Sequence, residues 1–238
     1  MDRVYALAGP VQPPGVFAGS ANVVSVLVLL AEFGMLRQAL LRDQIRLYAA
    51  QSGLISVLAV IIAAARHLPD LYALAALSAA LKVVTVPVVL RRLLRGTGPD
   101  GAPADGADIA GSGTLSVAST VLGAIVVAAF GFFSVGALGI RGPVLPVTAL
   151  AVSVSVALVA FVLMIVRRDV ASQAIGFFSL ENGISLAALV VAAGLPLILE
   201  TAFLFDLLVA VVVFGMLIRI HHGRAESLST AELTSLRG

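Results

Sequence analysis

Long uninterrupted apolar runs dominate this sequence of 238 residues and restrict what it can fold into. Only 12% of the residues are charged, against about 25% in soluble domains, so the chain cannot cover itself with a water-facing surface. Most of the runs reach about 18 residues, the length that crosses a bilayer as a helix, whereas barrel strands would alternate apolar and polar residues over about ten positions. The sequence therefore predicts an all-α integral membrane protein.

The runs correspond to about seven transmembrane helices. Their predicted positions are 17–36, 47–65, 71–90, 114–138, 145–166, 173–194 and 198–220. With the N-terminus outside, only three arginines fall on the outer side: Arg3, Arg66 and Arg141. The arginines that then fall on the inner side are Arg37, Arg42, Arg46, Arg91, Arg92, Arg95, Arg167, Arg168, Arg219, Arg224 and Arg237. Because inner loops are enriched in basic residues, we expect the N-terminus outside and the C-terminus inside.

An internal repeat is suggested when the sequence is compared with itself at a shift of 130 residues. The matched positions are Tyr48 with Phe178, Gln51 with Glu181, Ser52 with Asn182, and Gly53 with Gly183. The two copies start four spans apart, so they would cross the membrane in the same direction, as parallel repeats. The predicted organisation is a first three-helix unit with an outer tail at 1–96, a flexible cytoplasmic linker at 97–113, an extra transmembrane helix at 114–140, a second three-helix unit at 141–223 and a cytoplasmic tail at 224–238.

Several function classes are disfavoured by the residues that the chain lacks. It has no cysteine, which removes thiolate ligands for metals and iron–sulfur clusters. Its three histidines, His67, His221 and His222, all lie outside the predicted spans, where they cannot hold a haem within the membrane. The net charge of +2 follows from the inner arginines and does not indicate a nucleic-acid partner. We expect no cofactor and no metal site.

Two carboxylates lie inside consecutive apolar runs, Glu181 in the sixth predicted span and Asp206 in the seventh. A charge at membrane depth costs about 3 kcal/mol or more, and such residues commonly mark ion or proton pathways. Each acid is about eight residues into its span, from opposite sides, so at 1.5 Å per residue their depths differ by only about 6 Å. We predict a proton-relay pair. The alternative is that both acids are neutral and only hydrogen-bond neighbouring helices.

Lys82 is the only lysine of the chain and lies close to Glu181 in predicted depth. It is a third candidate relay residue, because a buried amine can exchange protons. The alternatives are a fixed counter-ion for a carboxylate or an amine that extends to the inner interface. Pro87, five residues later, is expected to kink or loosen this helix.

Further polar residues are candidates for supporting roles. Glu32 and Glu200 lie nearer the ends of their spans, where each either takes up or relays protons or simply reaches the interface. Asn182 and Ser185 flank Glu181 as supporting polar residues, with Ser185 one turn away and in reach of a hydrogen bond; packing between helices is the alternative for both. Gln51 occupies the Glu181 position in the first copy, and its amide keeps the hydrogen-bonding shape but cannot titrate.

A family resemblance is carried by the order of these motifs. The segment 176–183 (Gly-Phe-Phe-Ser-Leu-Glu-Asn-Gly), a short outer turn, Asp206 and a C-terminal Leu-Arg-Gly resemble the K subunit of respiratory complex I, over residues 145–238. The seven spans and the lysine in the third span resemble the E component of hydrogenase-4 and formate hydrogenlyase complexes, over nearly the whole chain. Asp206 departs from the usual glutamate, and the outer turn is shorter than in the K subunit.

This resemblance implies a membrane subunit of a NiFe-hydrogenase-like complex of group 4, multi-pass in a bacterial plasma membrane and without an active site of its own. Its implied partners are the lipid bilayer, antiporter-like membrane subunits and peripheral redox subunits. Glu181 and Asp206 would match the acids of the lateral proton path, and 141–223 would be the K-like unit. The rival hypotheses are a stand-alone cation or solute carrier, disfavoured by the lack of an inverted repeat, and a structural membrane subunit with inert acids.

Overall fold

The computed structural model describes residues 15–95, 116–138, 146–192, 208 and 210–217, and no strand occurs in these ranges. The helices are α1 (Gly15–Arg37), α2 (Leu41–Arg66), α3 (Pro69–Ser78), α4 (Val86–Arg95), α5 (Val117–Ala137), α6 (Val147–Val166) and α7 (Val170–Ala192). A π-helical segment, Ala79–Thr85, joins α3 to α4 as one continuous helix.

Six helices in the described ranges are long and apolar enough to cross a membrane: α1, α2, the continuous helix of α3 and α4, α5, α6 and α7. The prediction of an all-α membrane protein is thereby confirmed, and each helix overlaps one predicted span. Of the seventh predicted span only 208 and 210–217 are described, and 210–217 is helical. The orientation in the membrane and the division into repeat units stay predictions.

Small residues bring the backbones of α6 and α7 into close approach. A Cβ atom added to Gly183 would lie 2.9 Å from the backbone nitrogen of Ala157, and one added to Gly176 would lie 2.7 Å from Cγ of Met164. In a membrane, where the lipid tails are as apolar as the side chains, such close packing is a main source of helix association. The two glycines therefore hold α7 against α6.

The apolar core is divided into two clusters. One cluster, at the level of the α2–α3 turn, includes Val28, Leu58 and Leu186. The other cluster, at the opposite ends of the helices, includes Ile45 and Phe178. The buried side chains between the two clusters are largely polar and form a polar layer, which consists of Glu32, Gln51, Ser52, Lys82, Ser179, Glu181 and Asn182.

Hydrogen bonds join the inner ends of the helices. The Arg167 guanidinium donates to the backbone carbonyls of Leu36 and Gln38, at 3.1 and 2.6 Å, and so connects the end of α6 to the end of α1. Ser172 donates to Gln44 of α2 at 3.0 Å. Asp169 accepts from the backbone N–H of Ser172 and satisfies one of the free donors at the start of α7.

The π-helical segment lies at the middle of the third membrane-spanning helix and ends two residues before Pro87. Proline has no N–H, so the helix loses one backbone bond at that point. Thr85 donates its hydroxyl to the Ala80 carbonyl at 3.0 Å, a bond within the widened turn. Isolated π turns are rare in proteins, but many of those that occur lie at functional sites. This one carries Lys82.

Candidate functional site

A buried ion pair lies at the centre of the polar layer. Nζ of Lys82 is 2.7 Å from Oε1 of Glu181, and the side chains are 3% and 10% exposed. Lys82 occupies the middle of the π-helical segment and Glu181 the middle of α7, so the pair is far from either end of its helices. Of the alternatives for Lys82, extension to the inner interface does not occur, and its amine contacts a carboxylate.

Ser185 completes this part of the layer by accepting a hydrogen bond from Nζ of Lys82 at 2.9 Å. The sequence suggested Glu181 as the partner of Ser185, because the two lie one turn apart on α7. The lysine reaches into that turn from the neighbouring helix and bonds both residues. Glu181 and Ser185 of α7 therefore both bind the ammonium group of Lys82.

Gln51 organises the second part of the polar layer. Its amide nitrogen donates to Oε2 of Glu32 at 2.9 Å and to the Val28 carbonyl at 3.3 Å. Its amide oxygen accepts from Ser179 and from Asn182, both at 3.0 Å. Ser179 also hydrogen-bonds Oε2 of Glu32. One amide of α2 thus joins α1 to α7.

Asn182 links the two parts of the layer, because it follows Glu181 directly in α7. Its Nδ2 donates to Gln51 and, at 2.8 Å, to the hydroxyl of Ser52. Tyr48, one turn before Ser52, is fully buried. The ring of Tyr48 packs on Phe178 with a centroid distance of 5.9 Å, which closes the layer on its inner side.

A cavity of about 50 Å³ begins at Lys82, Glu181 and Ser185 and runs toward the α2–α3 turn. Its remaining lining residues are Ile55, Ser56, Ala59, Leu71, Leu74, Ala75, Ser78, Ala188 and Leu189. A water molecule needs roughly 10–15 Å³ of such space and two or more polar partners. The cavity therefore suits a few water molecules that contact the ion pair and the serine hydroxyls.

The structure brings together six of the residues selected from the sequence: Lys82, Glu181, Ser185, Gln51, Asn182 and Glu32. Asp206 and Glu200 lie outside the described residues. Of the two alternatives for Glu32, extension to the interface does not occur: its side chain is fully buried and bonded to α2 and α7. In the described ranges no three histidine, aspartate or glutamate side chains converge as in a metal site.

Sequence reasoning missed Tyr48 and Ser52 as members of the layer. Both lie within one helical turn of Gln51, and both are matched by the 130-residue shift to residues around Glu181. The matched positions contact each other directly, Tyr48 with Phe178 and Ser52 with Asn182. The 130-residue shift could therefore have been used to predict that Tyr48 and Ser52 lie in the polar layer.

The chain is similar to an uncharacterized protein of Mycobacterium tuberculosis (strain ATCC 25618 / H37Rv), with 40% identity over 75 residues. This similarity covers 32% of the chain and 34% of the relative, so the match spans about a third of the relative's length. No protein-family model matches the chain, and no solved structure matches it.

Proposed function

We propose that this protein is a non-catalytic membrane subunit of a complex related to group 4 NiFe-hydrogenases, formate hydrogenlyase and respiratory complex I. In this proposal it resides in the bacterial plasma membrane and contributes buried acids to a proton-conducting path. The observation that carries the proposal is the ion pair of Lys82 and Glu181, at 2.7 Å in the middle of the membrane-spanning helices.

The pair has the chemistry that proton transfer requires. A proton that moves from Nζ of Lys82 to Oε1 of Glu181 converts two charges into two neutral groups without changing the net charge of the layer. Both forms are therefore tolerated in a low-dielectric surrounding, where a single unpaired charge would be costly. Intramembrane ionisable residues of this kind commonly belong to proton relays.

The cavity beside the pair favours protons or water over a solute as the transported species. At about 50 Å³ it is far smaller than the roughly 300–1,000 Å³ of pockets that bind small molecules. Its serine hydroxyls, Ser56, Ser78 and Ser185, supply partners for a short chain of water molecules. This cavity suits a relay, whereas a second, largely apolar cavity of about 680 Å³ that shares Ser56 and Ala75 with its lining is large enough for a solute.

The remaining parts of the proposal come from the family resemblance. Asp206 would provide the next acid of the path, and antiporter-like membrane subunits would receive or supply the protons at either side. Peripheral redox subunits would carry out the electron chemistry, for which this chain has no candidate residues in the part that the structure describes.

The test is Glu181→Gln in the native membrane complex, isolated through a tag on this chain. Complex I-like and hydrogenase-like subunits should co-purify with the tagged protein. The variant should retain assembly while proton uptake by inverted membrane vesicles falls at least tenfold. Asp70→Asn, the same carboxyl-to-amide change at the exposed start of α3, should leave proton uptake unchanged. Full proton uptake in an assembled Glu181→Gln complex would refute the relay.

A further inference from the structure

The orientation of the Gln51 amide is fixed by an atom that cannot change its role. The backbone carbonyl of Val28 only accepts hydrogen bonds, so the Gln51 atom 3.3 Å from it must be the amide nitrogen. The amide oxygen then faces Ser179 and Asn182, and both of these residues must donate to it. Every hydrogen-bonding position of the Gln51 side chain is occupied in this arrangement.

Ser179 cannot satisfy its two neighbours with the single hydrogen of its hydroxyl. It lies within hydrogen-bond distance of the Gln51 amide oxygen and of Oε2 of Glu32. If its hydrogen points to Gln51, the bond with Glu32 requires a hydrogen on Glu32. A neutral Glu32 supplies that hydrogen from Oε2, which still accepts from the Gln51 amide nitrogen. All three contacts are then made, whereas an ionised Glu32 leaves one unmade.

The surroundings of Glu32 contain nothing that would stabilise its anion by charge. In the described residues no arginine or lysine lies within ion-pair distance of it, and α5 and α6 carry no ionisable residue. The ionisable groups that α2 and α7 bring to the layer are Tyr48 and Glu181, and the lysine of the third span is paired with Glu181. Oε1 of Glu32 is buried and has no hydrogen-bond partner in these residues.

We infer that Glu32 is a second proton-binding site of this protein. The hydrogen-bond arrangement of Gln51 and Ser179 is the one in which Glu32 carries its proton. Gln51 separates this site from the ion pair of Lys82 and Glu181. The inference goes beyond the proposed function, because it assigns a bound proton to a residue of α1 that the relay at Glu181 does not use. It does not depend on which complex the chain belongs to.

The separation follows from the chemistry of the amide. A carboxyl or hydroxyl group can receive one proton and release another, whereas an amide side chain does not exchange its protons in this way. A proton that leaves Glu32 is therefore not passed through Gln51 to the ion pair of Lys82 and Glu181. Ser179 then turns its hydrogen from Gln51 to the new carboxylate, and Asn182, next to Glu181, is left as the side-chain donor to the Gln51 oxygen.

The experiment is difference infrared spectroscopy on the full-length protein in lipid nanodiscs at neutral pH, in ordinary and heavy water. The wild type should show the carbonyl stretch of a neutral carboxylic acid, with the expected isotope shift. Glu32→Gln should remove this band. Asp70→Asn, which alters an exposed carboxyl, should leave it in place. Ser179→Ala should keep the band but shift it, because the acid loses one hydrogen-bond partner.

The inference is overturned if the Glu32→Gln spectrum loses carboxylate bands but keeps the neutral carbonyl band of the wild type. If Glu32→Gln does not fold, the Ser179→Ala spectrum decides alone: an unshifted neutral-acid region would equally overturn it. These measurements read the proton on the isolated chain. If the Glu181→Gln complex keeps full proton uptake while the Glu32 band is present, the proposed function is refuted and the proton-binding site at Glu32 is not.

Discussion

Asn182 of α7 donates a hydrogen bond of 2.8 Å to Ser52 of α2, and these two residues are matched by the 130-residue shift of the sequence. Tyr48 and Phe178, matched by the same shift, are in ring contact. Two parallel helices related by a two-fold axis along the membrane normal would bring equivalent residues together at the same depth. The contacts between α2 and α7 have this property.

The first prediction concerns the bond between these two helices. Ser52→Ala should lower the free energy of unfolding by about 0.6 kcal/mol, the mean measured for side-chain hydrogen bonds between membrane helices, and by no more than about 1.7 kcal/mol. The measurement is reversible unfolding of the purified protein in mixed micelles. Ser56→Ala is the matched control, because the Ser56 hydroxyl bonds only the Ser52 carbonyl of its own helix, at 3.0 Å. An equal loss in both variants would contradict the role of the interhelical bond.

The second prediction concerns the buried ion pair. Lys82→Met should be destabilising by about 3–5 kcal/mol, because it leaves the Glu181 carboxylate buried without its cation. Adding Glu181→Gln to the same chain should restore most of that loss, since neither charge then remains. A double-mutant cycle in the unfolding assay measures the coupling directly. Additive effects of the two substitutions would show that the residues do not form a pair in the folded protein.

The third prediction concerns the close approach of α6 and α7. Gly183→Ala should cost about 1–3 kcal/mol, the range for overpacking, because the added Cβ would lie 2.9 Å from the Ala157 backbone, which cannot move like a flexible side chain. Gly123→Ala in α5 is the control, since nothing lies within 4 Å of its added Cβ. Thermal unfolding in detergent should rank the two variants in this order, and a more stable Gly183→Ala would contradict the packing.

Run length and helix rise were sufficient to predict six of the seven spans and the similar level of Lys82 and Glu181 along their helices. Lys82 and Glu181 were placed at similar depths from residue counting alone, and they are in contact. What counting cannot give is the direction in which a side chain points around its helix. That direction is set by packing between helices. The position of Glu32 in its span therefore left two alternatives open, and its side chain lies against Gln51 and Ser179.

The choice among roles for Lys82 also depended on three-dimensional contacts. Its sequence neighbours are apolar, so an ion pair, a proton carrier and an interface-reaching amine all fitted the same pattern. Pro87 indicated a disturbed helix, but one missing N–H is compatible with a kink, a bulge or a π turn. The position of Glu181 on the neighbouring helix shows that the two residues form an ion pair and excludes an amine that reaches the interface. Whether Lys82 also carries protons stays a prediction.

The π-helical segment affects which side of the third membrane-spanning helix faces its neighbours. Lys82, Val86 and Leu90 are all buried and are spaced four residues apart. In a straight α-helix, residues four apart are rotated by about 40° at each step, so such a row winds away from the protein. Each residue of a π turn rotates the chain about the helix axis by less than a residue of an α-helix does, and this cancels part of the rotation of about 40°. The π turn therefore keeps Lys82 on the same side of the helix as Val86 and Leu90. Removing one residue from this segment would turn Lys82 away from that side.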